Sequence, residues 1–410
     1  MISAMEYCKN VFDGTHDSPK PSAAGFKLLT SKHILNNKLD KENAYFISEN
    51  DYDSINKRSK VRKWDILFSM IGTVGNIYLV TEDNIDFAIK NMGVFSCEEE
   101  YEAKWLYYYL KSPYAQSYIK NYLNGAIQKF LPLNKLRDFP VPKFEENSKK
   151  NVDILWALDE KIKNNKIINN QLESLLKIIY NYWFLQFEFP DENGKPYKSS
   201  GGEMVWNDEL KKEIPENWKY LRLCDIEKNI VTGKTPPTKK NDNFGGSIPF
   251  ITIDDIRKGI YLSKTDRTLT EEGANSQKNK YIPENSICVS CIATVGLVAI
   301  STEDSQTNQQ INSIICNNKN NIYYLVSALK QYFQFSSGAK TGNIFANMNK
   351  DDFSNIMITY PNEEVLQKYN CLVEPLYLKM RNTIIENNNL QDLRDFLLPL
   401  LMNGQIGFKD

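Results

Sequence analysis

A cluster of basic residues lies directly ahead of a strongly apolar segment. Lys57, Arg58, Lys60, Arg62 and Lys63 precede the run ILFSMIGTVG. A lysine ammonium neutralises phosphate charge, and an arginine guanidinium can bridge the O6 and N7 edge of guanine. The cluster therefore suggests a segment that contacts a nucleic acid. An ordinary exposed loop is the alternative.

A second basic group lies before a similar apolar run. Lys278 and Lys280 precede SICVSCIATVG. We expect both basic segments to be loops that face DNA. Further candidates of the same chemistry lie in the second half of the chain: Lys234, Lys239, Lys240, Lys264 and Arg267.

Groups that could support catalysis or hold a metal are few. Ser18 lies near His16, but a proline-rich turn explains both residues. The carboxylates of the AspGluLys run at 159–161 could mimic a nuclease, yet they fall on a predicted helix where a solvated face is the simpler interpretation. Cys288 and Cys291 form a CxxC pair without the second pair that a zinc site needs.

Two enzyme motifs are missing from the sequence. No GxxxxGK[ST] loop is present, so no nucleotide-driven motor is indicated. Pro236 and Pro237 lie between threonines, without the flanking polar and aromatic residues that an amino-methyltransferase uses to hold a flipped base. We therefore expect no catalytic residue, metal or cofactor in this chain.

The composition is that of a globular protein with balanced charge. The 410 residues include 50 basic and 51 acidic side chains, and 41% are hydrophobic, which predicts two or more domains. Balanced charge excludes a uniformly basic nucleic-acid binder but allows local basic surfaces. The seven cysteines are scattered, and neither a signal peptide nor an apolar run of membrane-spanning length is seen, so we expect a cytoplasmic protein.

The sequence contains an internal duplication at an offset of about 220 residues. DILFSMIGTVGNIYLVTED at 65–83 aligns with SICVSCIATVGLVAISTED at 286–304, and LLTSKHI at 28–34 aligns with FITIDDI at 250–256. The segments that begin at Lys129 and Ile344 also correspond. The shared Thr73–Gly75 and Thr294–Gly296 segments are interpreted as a structural strand and tight turn, with a base-reading role as the alternative. Each copy opens with short β-branched and aromatic runs, which indicate a mostly β unit.

Each copy closes with a long helix. Helices are predicted from about Ser148 to Phe187 and after Pro361 and Asn362, the latter a candidate cap. Spacings of three and four residues define a heptad seam on each helix, which needs a partner helix. The seam residues are Leu158, Ile162, Asn165, Asn169, Leu172 and Leu176 on the first helix, and Leu376, Met380, Thr383, Asn387 and Leu390 on the second.

A duplicated chain favours pairing of its two equivalent helices in an antiparallel coiled coil with pseudo-two-fold symmetry. The polar seam positions would fix the helix register, and the register would set the distance between the two β units. The exposed helix faces and WFLQFEF at 183–189 are candidate docking surfaces, with a hydrophobic core as the alternative for the latter segment.

Several strings resemble the specificity subunits of type I restriction-modification systems. DGTHDSPKP at 13–21 with LLTSKHI and ILFSMIGTVG is similar to a first target recognition domain of such subunits. IPENWKYLRLCDI at 214–226, TGKTPP and TNQQINSI at 307–314 are similar to a second. FLLPLLMNGQI at 396–406 resembles their usual tail, although the first copy lacks a counterpart of IPENW.

The resemblance implies a DNA-recognition chain that performs no chemistry. It implies partners: double-stranded DNA, two modification subunits that methylate adenine with S-adenosylmethionine, and restriction subunits that use ATP and Mg²⁺ to cleave DNA. A specificity subunit of a methylation-only or phage-exclusion system is an alternative within the family. A two-headed protein scaffold that does not bind DNA is the alternative outside it.

These expectations define an α+β protein in five segments. Residues 1–146 are the first target recognition domain, here called head 1, and residues 214–361 are the second, head 2. A central helix at 147–190 and a linker at 191–213 separate them, and a distal helix and tail occupy 362–410. The net charges are 0 for head 1 and +2 for head 2, too small a bias to identify a DNA-binding protein by itself.

Overall fold

The computed structural model describes residues 1–35, 38–124, 130–238, 241–338 and 347–406. The chain divides into two compact units. Unit 1 comprises Met1–Ile162 and Leu390–Asp410, and unit 2 comprises Lys163–Asn389. The division falls within both long helices, so each unit contains one head and part of each helix.

The described residues of unit 1 form three small sheets and one short hairpin. The strands are β1 (Ile2–Ser3), β2 (Asn10–Asp13), β3 (Phe26–Thr30), β4 (Ile34–Leu35), β5 (Lys38–Leu39), β6 (Phe46–Ile47), β7 (Asp65–Ser69), β8 (Ile77–Leu79), β9 (Phe87–Lys90), β10 (Met92–Ser96) and β11 (Pro140–Val141). Antiparallel strands in the order β2-β10-β7-β8 form the main sheet, and β6-β3-β9 form a second sheet in which β3 and β9 are parallel.

The helices of head 1 pack on these sheets. They are α1 (Ala4–Tyr7), α2 (Glu49–Ser59), α3 (Glu100–Lys111), α4 (Pro113–Asn124) and α5 (Leu133–Arg137), followed by the long helix α6 (Lys149–Tyr180). Every residue of β7 is buried. Its alternate side chains enter two cores, with Ile66 and Phe68 in one and Leu67 in the other, as expected for a strand covered on both faces.

Unit 2 has a larger set of strands. They are β12 (Met204–Asn207), β13 (Lys212–Pro215), β14 (Lys219–Arg222), β15 (Ile230–Thr232), β16 (Phe244–Ile251), β17 (Tyr261–Leu262), β18 (Arg267–Leu269), β19 (Tyr281–Ile282), β20 (Ile287–Ser290), β21 (Val298–Ser301), β22 (Ser305–Thr307), β23 (Ile311–Ile314) and β24 (Met357–Tyr360). The helices are α7 (Leu223–Ile226), α8 (Ile253–Ile256), α9 (Glu271–Asn275), α10 (Asn321–Gly338), α11 (Lys350–Ser354) and the long α12 (Glu363–Met402).

The strand order confirms the duplication. The main sheet of head 2 runs β15-β23-β20-β21-β17, which repeats β2-β10-β7-β8 with one added strand. The parallel pair β16 and β22 repeats β3 and β9. Cys288 lies between Ile287 and Val289 on β20, as Leu67 lies between Ile66 and Phe68 on β7, and it enters a core different from that of its neighbours.

The shared TVG segments are tight turns, as expected. Gly75 and Gly296 have φ values of 100° and 95°, a region that favours glycine. The amide of each donates to the carbonyl of a serine at the end of the preceding strand, Ser69 or Ser290. A Cβ on Gly296 would lie 2.6 Å from Phe333, so close packing also requires glycine there.

The opening strand of head 1 is present even without an IPENW counterpart. β1 pairs antiparallel with β11, as β14 pairs with β24. The amide of Ala4 donates to the carbonyl of Phe139, and that of Leu223 donates to Ile356 in the same way. The first copy therefore closes its sheet with a strand of two residues.

The heads contain more helix than the expectation of mostly β units. α3, α4 and α10 were not predicted because their sequences are rich in aromatic residues, which also favour strands. In α3, Ala103, Leu106 and Leu110 lie on one buried face at helical spacing. That spacing distinguishes the segment from a strand.

The two long helices form where the seam pattern predicts them. Asn362 caps α12 by accepting a hydrogen bond from the Val365 amide at 3.0 Å, as predicted. The central helix is shorter than predicted, because α6 ends at Tyr180 and a π-helical turn, Asn181–Leu185, follows it. All predicted seam side chains are buried or half-buried: Leu158, Ile162, Asn165, Asn169, Leu172, Leu176, Leu376, Met380, Thr383, Asn387 and Leu390.

The polar seam residues contact each other within unit 2. Asn165 Nδ2 donates to Asn387 Oδ1 at 3.0 Å, and Thr383 Oγ1 donates to Asn169 Oδ1 at 2.5 Å. Residue numbers rise on α6 as they fall on α12, so the two helix segments are locally antiparallel. Asn165 is 1% exposed and also donates to Glu386, so its amide is satisfied in the seam.

WFLQFEF belongs to a hydrophobic core rather than a docking surface. Trp183, Phe184, Phe187 and Phe189 are buried in unit 2. The rings of Phe184 and Phe189 pack on Trp218 with centroid distances of 5.6 and 5.2 Å. Of the two expectations for this segment, the core alternative is therefore correct for these four side chains.

Candidate DNA-contacting surfaces

The basic segment of head 1 is helical where we expected a loop. Lys57 and Arg58 lie in the last turn of α2, Lys60 caps that helix, and Arg62 and Lys63 follow it. Ser48 caps the other end by accepting a hydrogen bond from the Asp51 amide. The sequence expectation failed because the apolar positions of α2 are few, so its helical period was weak.

The five basic side chains differ in their surroundings. Arg58 Nη2 lies 2.6 Å from Asp13 Oδ1, and Lys63 Nζ lies 2.7 Å from Asp83 Oδ1. Lys57 and Lys60 are exposed and form no ion pair with any residue that the structure describes. Arg62 is exposed, and its backbone amide donates to Asp65 at 2.8 Å. Lys57 and Lys60 are thus the members of the cluster best placed to meet phosphates.

A buried carboxylate, that of Asp65, accepts a hydrogen bond from the backbone of this segment. Asp65 is 1% exposed, and burial raises its pKa to about 6 although Ser96 and the Arg62 amide donate to it. In the duplicated position of head 2 the residue is Ser286, which donates to the Pro283 carbonyl. At this position head 1 therefore has a titrating carboxyl and head 2 has a hydroxyl.

A short chain of polar contacts joins the basic segment to the loop around Gly14. Residues 13–17 of head 1 and 232–236 of head 2 are here called the glycine loops. The carboxylate of Asp13, 8% exposed as a side chain, contacts Arg58 and also lies 3.0 Å from His16 Nε2. His16 Nδ1 in turn lies 2.8 Å from Asn91 Oδ1.

Glycine is required in both loops by close approach of backbone. A Cβ on Gly14 would lie 2.5 Å from the carbonyl oxygen of Ile89, and one on Gly233 would lie 2.3 Å from that of Asn308. Each loop is therefore pressed onto the end of a parallel strand, β9 or β22. This contact fixes the position of the side chains that follow the glycine.

Head 2 also brings its glycine loop to its basic segment. Lys278 and Lys280 lie in a 3₁₀ turn, Lys278–Lys280, rather than the expected loop. Buried Gln277 donates to the carbonyl of Lys234 at 2.7 Å and to Gln306 at 2.7 Å. Lys234 and Lys278 are exposed, and Lys280 is half-buried. The structure thus places Lys234 beside the segment that carries Lys278.

Two further basic candidates lie in or just before β18. Arg267 is exposed at the start of β18, with its guanidinium 4.3 Å from the Phe244 ring centroid, and Lys264 is exposed nearby in sequence. Lys239 and Lys240 lie outside the described residues.

Three polar residues at these surfaces were not singled out from the sequence. Asn91 directly follows the parallel strand β9 and Gln309 lies two residues past β22, where they meet the glycine loops. Arg257 contacts the second TVG turn through Thr294 at 2.6 Å. The signal available was position for two of them, since Arg257 directly follows the repeated segment FITIDDI and Gln309 lies within TNQQINSI. Asn91 lies eight residues past the repeated segment that ends at Asp83.

The catalytic candidates have other roles in the structure. Ser18 bonds to Lys90, and His16 faces Asp13 and Asn91, so the two do not form a nucleophile and base. Asp159 is in an ionic cluster rather than on a solvated face, which corrects that expectation. Cys288 and Cys291 lie in different cores.

No group of three potential metal-ligating His, Cys, Asp or Glu residues occurs in the described part of the chain. Among the same residues, no helix is both long enough and apolar enough to cross a membrane.

The ionic cluster around Asp159 connects head 1 to both long helices within unit 1. Its carboxylate lies 2.7 Å from Arg394 Nη1 and 3.4 Å from Lys111 Nζ, and it accepts a hydrogen bond from the Tyr108 hydroxyl at 3.1 Å. Burial acts to raise the pKa of Asp159, but Lys111 and Arg394 outweigh it and hold that pKa below its usual range. Burial lowers the pKa of Lys111 despite the carboxylate. Arg394 is therefore the better-matched partner.

Known proteins match both copies of the repeat. The family model described as type I restriction modification DNA specificity domain matches residues 19–174 and again 215–371. The type I restriction enzyme HindI specificity subunit of Haemophilus influenzae is 29% identical, over 85% of this chain and 88% of that protein. The MjaIX specificity subunit of Methanocaldococcus jannaschii is 28% identical, over 74% and 69%.

A solved structure shares the fold. The crystal structure of the type I restriction-modification system S subunit from M. genitalium superposes with a TM-score of 0.60 at 16% identity, covering all of this chain and 95% of that one. The repeated heads, the paired helices and the two family matches lead to one conclusion. This chain belongs to the type I restriction-modification DNA specificity family.

Proposed function

We propose that this chain is the DNA-recognition subunit of a type I restriction-modification complex and reads a bipartite target, one half with each head. The main supporting observation is that the family model matches once per head, and that the main sheets of the two heads share the order of four strands. Each head also joins a glycine loop to a basic segment, through Arg58 and Asp13 in head 1 and Gln277 and Lys234 in head 2. A two-part target is the natural interpretation of two such surfaces.

The long helices act as the spacer in this proposal. Packed as an antiparallel coiled coil, they would carry the heads at opposite ends and fix the gap between half-sites. The local antiparallel contacts of Asn165 with Asn387 and of Asn169 with Thr383 support this arrangement. Polar pairs in an otherwise apolar seam penalise shifted registers, because a shift would leave buried amides unpaired.

The outer faces of the helices are the proposed docking surfaces for two modification subunits. On the unit 2 part of α6, Ile167, Leu175 and Ile178 are 47%, 43% and 63% exposed. Leu393 and Phe396 of α12 are 45% and 66% exposed. Apolar side chains repeated along a helix face suit a protein partner better than water.

The chain itself would perform no chemistry. Adenine methylation with S-adenosylmethionine would occur in the modification subunits, and ATP- and Mg²⁺-dependent cleavage in restriction subunits. Its own task would be to select sequence and position the methyltransferase.

Coexpression with the modification subunits, followed by mapping of methyladenine, tests the proposal. One interrupted motif is the expected result. Scattered or absent methylation, with the complex shown to assemble, would contradict it. A gel shift of the complex separates the protein-scaffold alternative, since a scaffold would show no sequence preference.

A further inference from the structure

The same position in both heads holds a pair of polar side chains that the proposed function has not yet used. In head 1 His16 Nδ1 lies 2.8 Å from Asn91 Oδ1. In head 2 Thr235 Oγ1 donates to Gln309 Oε1 at 2.6 Å. Each pair links the residue two places after the loop glycine to a carboxamide just beyond a parallel strand.

The backbone around the two pairs makes the same two hydrogen bonds, although one residue separates β9 from β10 and three separate β22 from β23. The amides of Gly14 and Gly233 donate to Met92 and Ile311 at 2.8 and 3.1 Å, the first residues of the equivalent strands β10 and β23. The next amides, of Thr15 and Lys234, donate to Ile89 and Thr307 at 3.0 and 2.9 Å. The fold therefore fixes where each pair lies, while the residue types differ between the heads.

In each carboxamide the oxygen contacts a neighbouring side chain, which orients the group, while the nitrogen is available for a further hydrogen bond. The Asn91 backbone is held by hydrogen bonds to Thr15 and from Ser31, with φ at 50°. His16 and Gln309 are exposed, and Asn91 and Thr235 are half-buried. Within the described part of the chain, the N–H₂ groups of Asn91 and Gln309 have no protein partner. A carboxamide with a positioned oxygen and an available N–H₂ can pair with the N6 and N7 edge of adenine.

Cations lie beside both carboxamides. Asp13 connects His16 to Arg58, which directly follows Lys57 and lies two residues before Lys60. Lys234 precedes Thr235, and its carbonyl accepts from Gln277, the neighbour of Lys278. Phosphate contacts from such cations would position a base edge without reading it, leaving discrimination to the carboxamide.

We propose that Asn91 with His16, and Gln309 with Thr235, are the base-reading pairs of head 1 and head 2. This inference rests on the proposed function and names the specificity-determining residues within it. Loop closure does not require these side chains, because the backbone bonds at Gly14 and Gly233 already hold both loops. Different residues on one scaffold account for two heads of one fold that read different half-sites.

Isosteric variants test the inference in the full complex. Asn91→Asp and Gln309→Glu keep the carbonyl oxygen that faces His16 or Thr235 and replace the available donor. Asn91→Ala and Gln309→Ala remove the carboxamide. Each variant is coexpressed with the modification subunits, methyladenine is mapped, and thermal unfolding of the complex is compared with wild type. Asn50→Ala in head 1 and Asn275→Ala in head 2 are matched controls, because both are exposed amides on helices, α2 and α9, that contribute no residue to either pair.

The expected result is confined to one half-site. Preference at one base position should fall by roughly 5- to 100-fold in the half read by the altered head, with the other half and the gap unchanged. The controls should keep the wild-type motif. An unchanged motif in folded variants, equal changes in both halves, or a uniform fall in methylation without a base change would overturn the inference. If wild type itself yields no interrupted motif, the proposed function fails instead.

Discussion

The two units attach their heads to the long helices with different chemistry. Lys111 of α3 and Lys330 of α10 occupy corresponding places in the repeat. Lys111, 12% exposed, joins a cluster with Asp159 and Arg394, whose side chains are 21% and 19% exposed. Lys330, 35% exposed, meets only Glu173 among the described residues, and Glu173 is 55% exposed.

Aromatic packing replaces the ionic cluster in unit 2. Tyr377 stacks on Tyr323 with a centroid distance of 4.3 Å, and its hydroxyl lies 3.3 Å from Ser327 Oγ. Tyr369 packs against Phe184 and Trp183. The two copies thus share the order of four strands and the turn geometry. They differ where the head meets the long helices, with an ionic cluster in unit 1 and aromatic packing in unit 2. The same backbone arrangement can therefore be held against the long helices by either kind of side-chain contact.

Removing the central acid of the ionic cluster should have the largest effect. Asp159→Ala leaves Arg394 and Lys111 facing each other without their carboxylate, at an expected cost of about 3–5 kcal/mol in the free energy of unfolding. Glu173→Ala is the matched change in unit 2 and should cost under about 1 kcal/mol, since both partners are solvated. Urea unfolding measures both. Similar costs would show that the two junctions are equivalent.

Removing a tyrosine hydroxyl should also cost more unfolding free energy in unit 1 than in unit 2. Tyr108→Phe removes a hydrogen bond to the charged Asp159, with an expected cost of about 1.5–3 kcal/mol. Tyr377→Phe removes a longer, neutral contact with Ser327 and should cost about 1 kcal/mol or less. The same unfolding measurement decides. A larger loss of unfolding free energy for Tyr377→Phe than for Tyr108→Phe would contradict the view that hydrogen bonding to a charged group matters more in unit 1.

A pH dependence should separate the two heads. The pKa of Asp65 is about 6 when folded, above its unfolded value near 4, so its contribution to stability is fully present below pH 4 and is lost as pH rises through 6. Asp65→Ser introduces the residue that head 2 carries. Wild-type stability relative to this variant should fall by up to about 2–3 kcal/mol between pH 4 and 7. Parallel pH profiles would refute the assignment.

The smallest expected effects on stability come from exposed lysines, which should instead alter DNA binding. Changing Lys57, Lys60 and Lys63 together to glutamate should weaken DNA binding by the complex and reduce its salt dependence. The logarithmic slope should fall by about one for each phosphate that is no longer neutralised. Lys234→Glu with Lys278→Glu is the counterpart in head 2. Binding titrations across a salt series give the slopes. Unchanged affinity and slope for both would exclude these segments from the DNA interface.

The sequence predicted what depends on apolar periodicity and missed what depends on contacts between distant residues. The duplication, the TVG turns and the Asn362 cap follow from local patterns, and the structure confirms them. The seam residues from Leu158 to Leu390 were also predicted from a local pattern, and their side chains are buried or half-buried. α3 and α10 were missed because aromatic residues suit helices and strands alike. The environment of Asp159 could not be predicted, because Lys111 and Arg394 are far from it in the chain.

Only the part of the candidate site that forms a local pattern could be predicted from the sequence. The basic residues near Lys57 and Lys278 were visible as clusters, and the structure adds that helical turns carry them. Their connection to the glycine loops needs Asp13 and Gln277 to meet residues from other elements. Asn91 carries no local signal, since single amides are common beyond strands, and Gln309 is one of several polar residues in TNQQINSI.

A one-turn insertion in α6 after Asn170 tests the central claim most directly. If two heads read two half-sites across a helical spacer, methyladenine mapping of the coexpressed complex should show both half-sites unchanged. The gap between them should grow by about one or two base pairs, because one turn adds about 6 Å. An unaltered gap, or loss of one half-site with the other retained, would contradict the account.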